Sequence, residues 1–184
     1  FVSIRGAEPN FAQILIDGVR VSNPSSSQGG GFDFAQFDPA LIEGITIVPG
    51  SQSAIYGSDA LSGVIAIRLA TPERGGTRIG GAITGDSEAD HSAIVRLNTG
   101  WDTGGVLLAV SDTGTGDLAE GSTLDQRQAL MRIGQDLGRW SLSGFALLGD
   151  SAREGFPESS GGPRLAVNRA LEQRDTRFLV TGLS

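Results

Sequence analysis

Ile14-Leu15-Ile16-Asp17-Gly18-Val19-Arg20-Val21 decides the first part of the fold, because two apolar runs flank the pair Asp17-Gly18. Asp-Gly supplies the two positive φ angles of a type I′ hairpin turn, whose twist matches that of the strands it joins. The run Gln13–Ile16 and the run Val19–Val21 are therefore expected as antiparallel partners. Asn23 to Gly31 (NPSSSQGGG) follows as a polar loop without periodicity, then Phe32-Asp33-Phe34-Ala35-Gln36-Phe37. Asp38 with Pro39 behind it has the chemistry of a helix N-cap followed by the first helical residue, so a short helix is expected through Glu43, ended by Gly44. Ile45–Val48 reads as a strand, Pro49-Gly50-Ser51 as a break, Ser58 as the cap of a short turn through Leu61, and Gly63–Ile67 as a last strand. This is a small α+β unit.

A stretch rich in Pro, Gly and charge, Thr71-Pro72-Glu73-Arg74-Gly75-Gly76, separates this unit from a different pattern and divides the chain into residues 1–71 and 72–184. Beyond it, segments of about ten residues with every second side chain apolar alternate with turn residues, the pattern of a transmembrane antiparallel β-barrel. Strands are expected at Thr77–Thr84, Ser92–Gly100, Val106–Ser111, Arg127–Leu137, Ser141–Gly149 and Arg174–Leu183. In the second of these, Ala93, Val95, Leu97 and Trp101 share one face and Ser92, Arg96 and Asn98 the other. In the fourth, Arg127, Ala129, Met131, Ile133 and Leu137 oppose Gln128, Arg132, Gly134 and Asp136. One face suits lipid, the other a wet lumen. The turns Asp102–Gly105 and Gly138-Arg139 are short, whereas Asp112–Asp125 and Asp150–Gln173 are long and polar, the asymmetry of an outer-membrane barrel. Trp101 and Trp140 sit beside the short turns, where an aromatic girdle belongs.

Composition narrows the function. A net charge of −7, from 14 basic and 21 acidic residues, argues against nucleic-acid binding, which needs a basic surface. There is no Cys, so disulfides and thiolate chemistry are excluded, and the 28 Gly with only 19% charged residues favour β-structure. The longest apolar run, Val106-Leu107-Leu108-Ala109-Val110, is far short of a membrane-spanning helix. Phe1 follows no Met, basic segment or apolar leader, so further chain is expected upstream.

Val2-Ser3-Ile4-Arg5-Gly6, then Ile14-Leu15-Ile16-Asp17-Gly18-Val19, then Pro39 through Ile67 (PALIEGITIVPGSQSAIYGSDALSGVIAI) resemble, in order and spacing, the plug of TonB-dependent outer-membrane receptors. The resemblance covers residues 1–70. It implies a plug inside a barrel of 22 strands in the Gram-negative outer membrane, of which this chain carries about six. It also implies import of a scarce nutrient with energy transmitted by TonB, and hence TonB, a small-molecule nutrient and outer-membrane lipid as partners. The short loop before Phe37-Asp38-Pro39-Ala40-Leu41 and the run Ser53–Ala60 look closest to the cobalamin-receptor branch; catecholate siderophore receptors share much of this.

Within that resemblance, Arg5 and Glu43 match members of a charge cluster that anchors plug to barrel. Two departures stand out: Pro49-Gly50-Ser51 replaces the usual Arg-Gly-Pro, and Ala66 replaces an Asn. Ligand contact is expected from the apical loops, with Glu8, Asn10 and Phe11 in one and Ser25, Ser27, Gln28, Phe32 and Phe34 in the other, since loops on a rigid scaffold carry binding residues. The bland reading makes Arg5 and Glu43 an ordinary exposed pair and the two Phe core anchors. Asp112, Asp117, Glu120 and Asp125 offer oxygen ligands for Ca²⁺, but without EF-hand spacing a solvated loop is the simpler reading, and no metal or cofactor is assigned. The single His91 sits beside Asp90 as a surface residue. Catalysis finds little support, because the Gly-rich run lacks the Lys-Ser/Thr of a phosphate loop and no Ser stands in a nucleophile elbow. The competing readings are a soluble or surface β-rich binding module, and a receptor relative that signals ligand occupancy.

Overall fold

The computed structural model describes residues 2–21, 32, 34, 37–86, 90–116, 122–155 and 172–184. They form two sheets. The smaller comprises β1 (Ala12–Ile16), β2 (Val19–Val21), β3 (Ile42–Pro49) and β4 (Gly63–Leu69), in the order β2-β1-β4-β3. β1 and β2 form the expected hairpin, with Ile16 opposite Val19 and both Asp17 (φ 45°) and Gly18 (φ 82°) in the left-handed region. β1 then runs parallel to β4, from Ala12 against Gly63 to Ile16 against Ile67, and β3 closes the other side antiparallel.

The helix expected from Asp38 to Glu43 is instead a 3-10 turn, Pro39–Leu41, after which the chain extends at once into β3. The cap chemistry is as read, for Asp38 Oδ1 accepts the Ala40 N–H at 2.8 Å. The helix stops because Ile42 onward pairs with β4, and Gly44 marks a register shift in that pairing rather than a helix end. The turn expected at Ser58–Leu61 is likewise preceded by the one-turn helix α1 (Ser53–Tyr56).

The larger sheet has six antiparallel strands in strict chain order: β5 (Gly76–Gly85), β6 (His91–Trp101), β7 (Gly104–Thr115), β8 (Thr123–Leu137), β9 (Trp140–Gly155) and β10 (Glu172–Leu183). All six expected segments are present, and several run longer at the end away from the short turns. On the outer face, Val95 pairs with Val110, Val110 with Ala129, Ala129 with Leu148 and Leu148 with Leu179. Ile83 (86% exposed), Val95 and Leu179 show how openly this apolar row is presented. One step above it lies a charged row, Asp112, Arg127, Asp150 and Arg177, in which Arg127 Nε meets Asp112 at 2.8 Å and Arg177 Nε meets Asp150 at 2.6 Å. From Arg127 down to Leu137 and Trp140 at the short turn, tilted strands cover about 25 Å, the height of a lipid-facing band. No helix among the described residues is long and apolar enough to cross a membrane.

The inner face is drier than expected. Leu107, Ala109, Leu130 and Leu147 are buried there in one cluster with Ile14, Ile16, Leu41, Ile65, Ile67 and Leu69 of the small sheet. The reason is that the small sheet packs on this face, so its central part never meets water. Polar inner positions such as Ser111, Gln126, Gln128 and Ser151 lie above that seam and are buried as well.

Candidate functional site

The small-sheet unit and the linker that follows it meet the large sheet through polar contacts laid out along β8. Gln128, Arg132 and Asp136 recur every four residues and so share the inner face. Gln128 Oε1 accepts the Asp38 N–H at 3.3 Å, Arg132 Nη1 donates to Asp17 Oδ2 at 2.6 Å and to the Leu69 carbonyl at 3.1 Å, and Asp136 pairs with Arg74. The Leu69 N–H donates back to Asp17 Oδ1 at 3.3 Å. A single guanidinium thus holds both the β1–β2 turn and the last residue of β4, at the point where the chain leaves the small sheet for the large one.

The Arg132 and Asp17 side chains are only 15% and 11% exposed. Burial pushes the Asp17 carboxyl above its ordinary value. The Arg132 charge, the Leu69 N–H and the Arg132 hydrogen bond pull the other way, while the nearby Glu43 charge adds to the rise. Beside this pair, a cavity of about 570 Å³ opens between the start of β3, the linker and the inner faces of β5 and β6; Glu43, Glu73, Arg78, Arg96, Asn98 and Leu107 are among its lining residues. Glu73 pairs with Arg78, and its N–H donates to Asn98 Oδ1 at 3.2 Å.

The residues singled out for ligand contact fall in three places. Glu8 is exposed and its carbonyl accepts the Phe11 N–H at 3.0 Å, closing the 3-10 turn Pro9–Phe11. Asn10 is half-buried with its Oδ1 out of water and unpartnered, and the Phe11 carbonyl accepts the Ser62 N–H at 2.9 Å. This turn stands at the end of β1 opposite Asp17. Phe32 and Phe34 meet edge to face, 5.0 Å between centroids, and pack against the main core. Ser25, Ser27 and Gln28 lie outside the described residues.

Arg5 (φ 54°) and Glu43 are both exposed, and Glu43 accepts from Thr71 Oγ1 at 2.9 Å. Among the described residues no ion pair joins either to the other or to the large sheet. Glu43 belongs to strand β3, not to a helix. Asp17 and Arg132 were not singled out in the sequence; the only local signal was the inward phase of Arg132 in its strand.

The acidic loop is also rearranged. Asp112 and Asp125 belong to strands β7 and β8, Asp112 is engaged by Arg127 and by His91 Nε2 at 3.1 Å, and Asp117 and Glu120 lie outside the described residues. His91 opens β6 instead of standing in a loop.

A family model described as the TonB-dependent receptor plug domain matches residues 1–64. Among solved structures, the chain resembles the siderophore receptor PiuA from Acinetobacter baumannii, with a TM-score of 0.69 and 14% identity over 98% of this chain and 27% of that one. It also resembles the copper transporter OprC, with a TM-score of 0.64 and 17% identity over 78% of this chain and 23% of that one. FpvAI in complex with pyocin S2 aligns over 93% of this chain and 24% of that one, with a TM-score of 0.62 and 16% identity. The chain therefore spans about a quarter of the length of these structures.

Proposed function

We propose that this chain, whose residues 1–64 match the plug of the TonB-dependent receptors of the Gram-negative outer membrane, serves the import of a scarce nutrient of the cobalamin or ferric-siderophore type. The division proposed is a plug over residues 1–71 and barrel wall over 72–184, with further strands completing the barrel. One observation carries the reading: a small sheet docked by a buried ion pair and a shared apolar core onto the inner face of a wall whose outer face is an apolar band. Such a wall needs lipid outside and closure by more strands, since open edges are not stable in hydrocarbon.

In this proposal, ligand reaches the plug at the Glu8–Phe11 turn and the 25–34 loop. Glu8 is an exposed residue of that turn, while Asn10 Oδ1 is out of water and unpartnered. Phe32 and Phe34 act first as props that fix the loop's exit and only by their edges as contacts. TonB draws on chain upstream of Phe1, and Arg5 and Glu43 anchor the plug. Relatives in structure include a copper transporter and a siderophore receptor, so the cargo class is a matter for direct test.

The test uses cells that carry or lack the full-length receptor, with and without TonB. Uptake of cyanocobalamin, a ferric catecholate and copper is followed at nanomolar supply. Loss of cyanocobalamin or ferric catecholate uptake on removal of either protein supports the proposal; loss of copper uptake alone, or unchanged uptake of all three, refutes the cargo class. Binding that survives without TonB while uptake does not separates recognition from transport.

A further inference from the structure

Resting on the reading of Glu43 as an anchor, we propose that its wall partner is Arg96 of β6, so that two wall arginines, Arg96 and Arg132, hold two plug carboxylates, Glu43 and Asp17.

Glu43 and Arg96 line the same cavity. Arg96 Nε is out of water without a hydrogen-bond partner, and Arg96 enters no ion pair among the described residues. A guanidinium N–H removed from water and left unmade is costly, and a facing carboxylate relieves it most effectively. The Glu43 carboxylate holds only the Thr71 hydroxyl among the described residues. The other two charges lining the cavity, Glu73 and Arg78, are already paired to each other, which leaves Glu43 and Arg96 as the complementary pair.

Register places the two arginines as one device. Arg96 faces Ala109 and Ala109 faces Leu130, while Leu107 faces Asn98 on one side and Arg132 on the other. Arg96 and Arg132 therefore share the inner face on either side of β7, which carries the buried Leu107, two strands and two residues apart, or about 12 Å at ordinary strand spacing and rise. Opposite them, Glu43 lies close enough to Asp17 for its charge to act on that carboxyl. A two-by-two arrangement of this kind keeps the plug from sliding along the wall, because a shift that preserves one pair separates the other.

The experiment uses the full-length receptor in detergent. Hydrogen exchange at the amides of β1 and β4 reports how often the plug leaves the wall. Glu43→Gln and Arg96→Gln are each expected to lower protection about fivefold, the double variant no further than either single one, and the swap Glu43→Arg with Arg96→Glu to recover at least half of the loss. A merely structural role for either residue would give additive losses and no recovery from the swap, and either result overturns the pairing. If Glu43→Gln lowers protection and Arg96→Gln does not, Glu43 anchors elsewhere and only the choice of Arg96 falls. If neither has an effect, the anchor reading of Glu43 falls with it.

Discussion

Arg132 and Asp17 stand 115 residues apart in the chain and 2.6 Å apart in the fold, joining wall to plug in a nearly water-free contact. A buried pair of this kind is a poor source of net stability but an expensive thing to break, since removing one partner strands the other.

Arg132→Leu is therefore expected to weaken plug docking by about 3–5 kcal/mol at neutral pH, because it leaves Asp17 charged, buried and unpaired. The deficit has a pH signature. The Asp17 carboxyl is already raised by burial, and losing the arginine raises it further. A group with a raised folded value contributes stability that is fully present below its ordinary value and is lost as pH rises through the raised one. The variant should thus regain docking on acidification through the range above ordinary aspartate values, as Asp17 takes up a proton. Urea titrations of the full-length receptor between neutral and mildly acidic pH check this; a deficit that stays constant shows that Asp17 is not the stranded group.

Leu147 and Leu148 are chain neighbours on opposite faces of β9, the first fully buried against the plug and the second 51% exposed on the outer face. Leu147→Ala should cost about 2–5 kcal/mol by emptying a packed core. Leu148→Ala should cost less than about 1 kcal/mol, because lipid fills the space its side chain leaves. Equal costs, measured by denaturant unfolding in the same detergent, would mean that the two faces are not distinguished.

Gly63 begins β4 with φ 152°, and a Cβ there would stand 2.5 Å from the Val48 carbonyl oxygen. Gly63→Ala is expected to destabilise the plug by about 2–3 kcal/mol and to disturb the β3–β4 pairing at Pro49, since the clash is with backbone that cannot rotate away. Proteolysis of the variant, mapped by mass spectrometry, should show new cleavage between Pro49 and Ser62; an unchanged pattern rules out the strain.

Legibility in the sequence followed the length scale of each feature. The Asp17-Gly18 hairpin and the six wall strands were readable because each is encoded by adjacent residues. The strands came out short at one end because Thr113–Thr115, Thr123–Gln126 and Asp150–Gly155 rise above the lipid band, where nothing demands apolar alternation. The 3-10 turn at Pro39–Leu41 reads as a helix in the sequence because both use the same Asp cap, and only the pairing of Ile42 with Leu69 decides between them. The dry inner seam did leave a trace. Leu107-Leu108 and Leu147-Leu148 put apolar residues on both faces of a strand, as strands covered on both sides do. The contact of Arg132 with Asp17 left only the inward phase of Arg132, because the partner of a pair so distant in sequence is set by how two sheets dock.

Met131 distinguishes a membrane wall from a soluble sheet. It lies on the outer face of β8, 50% exposed, between the charged row at Arg127 and the turn at Leu137, and so near the middle of the apolar band. On a soluble module, Met131→Arg would exchange an exposed apolar side chain for a solvated one at almost no cost. In a lipid-facing wall the same change places a charge near the bilayer midplane, at about 2–4 kcal/mol, with the cost falling toward zero near the interface. The full-length receptor carrying Met131→Arg should therefore fold into phosphatidylcholine vesicles with a lower urea midpoint, while Arg127→Lys, one step above the band, folds as the parent does. A Met131→Arg variant with an unchanged midpoint would show that this face meets water, and the barrel reading of residues 72–184 would fail.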